Sequence, residues 1–138
     1  GMGYDKEVEM IREAAEQEML TAPYVFSEEQ AREMTEAGAD VIVSHMGLTT
    51  SGDIGAEMAL DLEAAAERVQ AHHDAAKEVD EDVLVICHGG PIAWPDDAEY
   101  VLNNTDGVIG FFGASSLERL PTEAAIEQQA RDFKEISF

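Results

Sequence analysis

The chain has 138 residues, 45% of them apolar, enough for one sizeable core, and no shift in composition marks a second domain. Eight Lys and Arg stand against thirty Asp and Glu, and the resulting charge of -22 repels polyphosphate, which argues against a nucleic-acid partner. No run approaches ~18 apolar residues and no basic stretch precedes an apolar one, so neither a membrane span nor a signal peptide is expected.

Such acidity is expected as a solvated surface of the kind halophiles use in concentrated salt. The carboxylates at Glu7, Glu9, Glu13, Glu16 and Glu18, or at Asp80, Glu81 and Asp82, are therefore not read as metal sites. A single cysteine, Cys87, excludes an intrachain disulfide and is compatible with a reducing cytoplasm; within an apolar strand it reads as a buried structural thiol.

In chain order, a helix is expected from about Asp5 to Met19, then a strand from Thr21 to Phe26 and a helix that starts at Ser27. Gln30, three residues on, fits a capping box, and Gly38 ends that helix. A second strand, Val41 to Ser44, reaches His45 and a Gly- and Thr-rich loop, Met46 to Gly55, in which Asp53 is placed to enter a site on loop closure. Behind the loop, Met58, Leu62, Ala65, Val69, His72, Ala76 and Val79 form one helical stripe facing a sheet. His72 on that stripe reads as a packing imidazole, and its neighbour His73 as an exposed one, because adjacent residues point to different faces of a helix.

A third strand, Val83 to Cys87, ends at His88, and a short helix runs from Pro95 to about Leu102. A fourth, Val108 to Phe112, ends at Gly113. The last helix carries Ile126, Ala130 and Phe133 on one face. Strands alternating with helices indicate α/β with a parallel sheet. Four strand-helix units after an opening helix make half of an eight-unit (β/α)8 TIM barrel, which typically needs ~250 residues. The expectation is a single partial domain over 1–138: a C-terminal half, starting at Gly1, whose N-terminal half is supplied elsewhere. Its open strand edges and apolar inner face predict association with that half or with further copies.

Strand C-termini converge on one mouth of a parallel barrel, so the residues just after each strand carry the chemistry. That criterion selects His45 and His88, each suited to polarise a carbonyl or move a proton near neutral pH. It also selects two turns. In His88-Gly89-Gly90-Pro91 the glycines permit close backbone approach and positive φ. Gly113-Ala114-Ser115-Ser116 leads into a helical turn whose free N–H groups and hydroxyls suit an anion. Arg119 beside it is placed either to fork a carboxylate or phosphate or to pair with a nearby acid, and Glu118 is a further candidate acid or base.

Four strings carry a resemblance to a known family: Gly3-Tyr4-Asp5-Lys6-Glu7-Val8-Glu9-Met10-Ile11, Ala37-Gly38-Ala39-Asp40-Val41-Ile42-Val43-Ser44-His45-Met46-Gly47-Leu48-Thr49-Thr50, His88-Gly89-Gly90-Pro91-Ile92-Ala93, and Gly110-Phe111-Phe112-Gly113-Ala114-Ser115-Ser116-Leu117-Glu118-Arg119-Leu120-Pro121. They resemble the phosphoenolpyruvate hydrolase-like TIM-barrel family, matching the C-terminal half of its barrel. That family is also found beside an ATP-binding domain in proteins similar to the tomato mosaic virus resistance protein. The resemblance implies a small phosphorylated, phosphonate or α-keto-acid substrate and a Mg²⁺-stabilised enolate, with metal ligands from the N-terminal half and none in this chain. By that implication the chain alone holds an incomplete site. A second reading is a non-catalytic sensing or assembly domain in which the same cradle binds an anionic metabolite for an ATP-binding partner domain. A third is a truncated product without independent activity.

Overall fold

A computed structural model describes residues 3–52 and 60–137. Helix α1 (Tyr4–Glu16) precedes β1 (Tyr24–Val25), α2 (Glu28–Glu36), β2 (Val41–His45), α3 (Leu62–Lys77), β3 (Leu84–His88), α4 (Pro95–Asn103), β4 (Gly110–Phe111), a single turn α5 (Ser115–Glu118) and α6 (Leu120–Lys134). The strands form one parallel sheet in the order β1-β2-β3-β4. Parallel neighbours taken in chain order, each followed by a helix, are the pattern of half a (β/α)8 barrel.

The outer strands are shorter than the sequence suggests. Expected over Thr21 to Phe26 and Val108 to Phe112, they pair as full strands only at Tyr24–Val25 and Gly110–Phe111. Their flanks still join the ladder: Val41 and Val43 donate to the carbonyls of Thr21 and Pro23, and Ile109 and Phe112 donate to those of Val85 and Cys87. Each outer strand has one neighbour here, so half its backbone groups find no ladder partner. Helix α1 stops at Glu16 rather than Met19, because the chain turns left-handed at Glu18 (φ 56°) and the Met19 N–H closes back on the Ala14 carbonyl.

Side-chain caps set the helix starts. Ser27 Oγ accepts from the Gln30 N–H at 3.2 Å while Gln30 Oε1 accepts from the Phe26 N–H at 2.8 Å, and Asp61 Oδ1 accepts from the Ala64 N–H at 2.8 Å. Of the α3 stripe, Ala65, Val69, His72 and Ala76 are buried, Leu62 is half-buried, Val79 is exposed beyond the helix end, and Met58 lies outside the described residues.

Helices cover one face of the sheet. Val25, Ile42, Val85 and Cys87 point into that layer and are fully buried against Met34, Val69 and Val101 among others. Ser44 also points there, and its hydroxyl pairs with His72 Nδ1 at 2.8 Å, which satisfies both buried groups. Burial of Cys87 pushes its thiol up to about 11, in keeping with a structural role. On the opposite face no helix packs among the described residues, and Tyr24, Phe26, Leu84 and Phe112 are exposed there while Val43 and His88 are buried.

The last helix departs from expectation. Ile126 and Phe133 are 65% and 66% exposed, and Leu120 is the one buried residue of α6. The stripe Ile126-Ala130-Phe133 therefore faces away from the core. No helix of the described residues is long and apolar enough to cross a membrane.

Candidate functional site

Five rings meet on the uncovered face where the strands end. The β2–β3 register sets His45 directly opposite His88, both pointing inward because Ser44 and Cys87 point to the helices. Their rings meet edge to face, with centroids 4.6 Å apart. Tyr24 stacks on His88, 5.0 Å away and 4° from parallel, and presents an edge contact to His45 at 4.8 Å. Phe26 flanks His45 at 4.9 Å, and Phe112 flanks His88 at 5.6 Å.

Each imidazole is oriented by a backbone group. His45 Nδ1 accepts a hydrogen bond from the Gly47 N–H at 2.9 Å. His88 Nδ1 lies 2.5 Å from the Phe112 carbonyl oxygen, which can only accept, so Nδ1 carries a proton. Burial, with His88 beside it, lowers His45 from 6.5 to about 4, so its ring is neutral at pH 7. His45 is thereby better suited to donate a hydrogen bond to a carbonyl than to act as a general base.

The glycine turn after β3 is stitched to the loop after β2. Gly89 and Gly90 have φ of 75° and 60°, and a Cβ at either would run into the carbonyl oxygens of Gly47 and Met46. The Gly90 N–H donates to the Gly47 carbonyl at 2.7 Å, the Met46 N–H donates to the His88 carbonyl at 2.8 Å, and the Thr50 N–H donates to the Gly90 carbonyl at 3.1 Å. The need for glycine here is met by neighbouring backbone.

After β4, the Ala114 carbonyl accepts from the N–H groups of Leu117 and Glu118, closing the turn α5. Gly113 is crowded by the Leu117 side chain and Ser116 Oγ. Ser115 and Ser116 are half-buried and open that turn, where N–H groups lack intrahelical acceptors. Arg119 takes the second of its two expected roles, pairing with an acid: Nη1 forks Glu123 at 2.9 and 3.1 Å, and Nη2 donates to the Ser51 carbonyl at 2.9 Å. It thus ties the β2–α3 loop to the start of α6. Glu118 is exposed and forms no hydrogen bond or ion pair with either histidine among the described residues. Asp53 lies outside the described residues.

Tyr24, Phe26 and Phe112 are missing from the residues selected by sequence. The available signal was their spacing: Tyr24 and Phe26 flank Val25 with a period of two, and Phe112 precedes Gly113 as His88 precedes Gly89. Among the described residues, no three His, Cys, Asp or Glu side chains converge to hold a metal ion. Mg²⁺ requires hard oxygen ligands, which a pair of imidazoles walled by aromatic rings does not supply. The described residues do not fit a Mg²⁺ site.

Residues 1–136 match the family model described as phosphoenolpyruvate hydrolase-like. The chain is 55% identical over 138 residues to the ToMV susceptible protein tm-1(GCR26) of Solanum lycopersicum, covering 100% of this chain and 18% of that protein. The chain thus spans under a fifth of that relative's length. Among solved structures it is similar to a FabK mutant from Thermotoga maritima, with a TM-score of 0.51 at 22% identity over 75% of this chain and 31% of that one. It is also similar to N-acetylmannosamine-6-phosphate 2-epimerase from Clostridium perfringens, with a TM-score of 0.50 at 16% identity over 91% of this chain and 48% of that one. At these identities the structural matches speak for the fold alone.

Proposed function

The chain belongs to the phosphoenolpyruvate hydrolase-like family, and from that premise we propose that it supplies one wall of a barrel site acting on a small phosphorylated, phosphonate or α-keto-acid substrate. The observation that carries this reading is the His45–His88 pair: two imidazoles at neighbouring strand ends, 4.6 Å apart, each held through Nδ1 by backbone. His45 polarises the substrate carbonyl and His88 moves a proton. Ser115 and Ser116, reached through Phe112 and Gly113, bind the anionic end with the hydroxyls and amides that open α5. With a charge of -22, the protein depends on such local donors to hold an anion.

The opposite wall comes from a second half-barrel, an N-terminal half or another copy of this chain, seated on the uncovered face. Any Mg²⁺ would take its ligands there. Phosphonopyruvate, supplied with Mg²⁺ to the complete barrel, is expected to be turned over, and His88→Ala is expected to abolish turnover while binding stays measurable. Binding without turnover across phosphorylated and keto-acid compounds would contradict this reading and support a metabolite-sensing domain.

A further inference from the structure

Two neutral imidazoles can face a ligand as two donors, two acceptors or one of each, and the backbone decides among these. The Gly47 N–H donates to His45 Nδ1 at 2.9 Å, so the proton of a neutral His45 sits on Nε2. The Phe112 carbonyl at 2.5 Å can only accept, so the proton of a neutral His88 sits on Nδ1 and its Nε2 keeps a lone pair. The two rings are therefore in opposite tautomers. Neither Nε2 has a hydrogen-bond partner among the described residues, and neither is sealed in. The one buried side-chain nitrogen or oxygen there without a partner is His73 Nε2.

We propose, resting on the site assigned above, that His45 and His88 read a ligand edge that carries one acceptor beside one hydrogen, a carbonyl oxygen next to an O–H, an N–H or, in a keto acid, the acidic C–H beside the carbonyl. His45 Nε2–H donates to the carbonyl, and His88 Nε2 accepts from the neighbouring hydrogen. Tyr24, stacked on His88, and Phe112, tilted against both rings, give that edge an apolar surround. A ligand edge with acceptors alone satisfies His45 and leaves the His88 lone pair facing another lone pair, an arrangement a desolvated site penalises strongly. The pair thus discriminates by the pattern of hydrogens on the ligand, while ionic groups are left to Ser115 and Ser116.

Oxamate and oxalate test this, since an amide N–H2 replaces a carboxylate oxygen, and the unit of charge that also separates them weighs equally on the unmodified protein and on a neutral variant at His88. At pH 8, isothermal titration on the protein is expected to give at least about ten-fold tighter binding of oxamate. His88→Gln, whose amide can turn either way, is expected to lower that ratio by about five-fold or more, and an unchanged ratio would overturn the proposal. Side-chain ¹⁵N spectra of the unmodified protein give a second measurement, with His45 protonated on Nε2 and His88 on Nδ1. Equal affinities, a preference for oxalate, binding of neither, or the reversed tautomers would each overturn the proposal. Oxamate preference without turnover of phosphonopyruvate sinks the proposed reaction and leaves this inference standing. Turnover with equal affinities does the reverse.

Discussion

The two faces of the sheet use histidine in opposite ways. On the helix-covered face His72 is buried and its Nδ1 is matched to Ser44 Oγ at 2.8 Å. On the uncovered face His45 and His88 are matched only at Nδ1, and their ε nitrogens stay available. Burial is the largest cause of the lowered pKa of both His45 and His72, about 4 in each case. A depressed pKa alone therefore does not separate a packing imidazole from a chemical one. What separates them is the face each stands on: His72 is buried in the helix-covered layer, whereas His45 and His88 end their strands on the other face.

The faces should come apart most sharply under truncation. Ile42→Ala on the covered face removes a fully buried side chain and is expected to cost about 2–5 kcal/mol in a urea melt. Phe26→Ala on the uncovered face, 50% exposed, should cost less than about 1 kcal/mol. Similar losses at the two positions would break the comparison.

Acid sharpens it next. The folded pKa of His72 lies below its ordinary 6.5, so the unfolded chain takes up the proton first as the pH falls. Its contribution is complete above pH 6.5 and is lost as the pH drops toward 4, a penalty on the order of 3 kcal/mol for a site this buried. His72→Leu should flatten stability over that window relative to the unmodified protein, as measured by urea melts at stepped pH. An unchanged slope would remove His72 from the acid response.

The smallest effect concerns the tie between the β2–α3 loop and the start of α6. Arg119→Ala removes the fork to Glu123 and the bond to the Ser51 carbonyl, and is expected to cost about 1 kcal/mol in a thermal melt.

The fold was legible because parallel strands and covering helices leave distinct periods, and the residue after each strand is fixed by that architecture. His45 and His88 followed from this, as did the burial of His72. The ring cluster was less legible, since Tyr24, Phe26 and Phe112 look like ordinary strand residues until the register shows that they share the inner face. Arg119 was ambiguous for a plainer reason: Glu123 lies one helical turn further on, and an i,i+4 pair competes with any ligand for the guanidinium. The exposed stripe of α6 was not foreseeable from its own pattern, because periodicity gives the apolar side of a helix and says nothing of what covers it.

The central claim, that the uncovered face carries the chemistry and the covered face the fold, is tested most directly by following the ring ¹⁵N signals of all four histidines while phosphonopyruvate is added to the complete barrel. The account predicts that the signals of His45 and His88 shift together and saturably while those of His72 and His73 stay in place. A shift at His72 with His45 and His88 unmoved would contradict it.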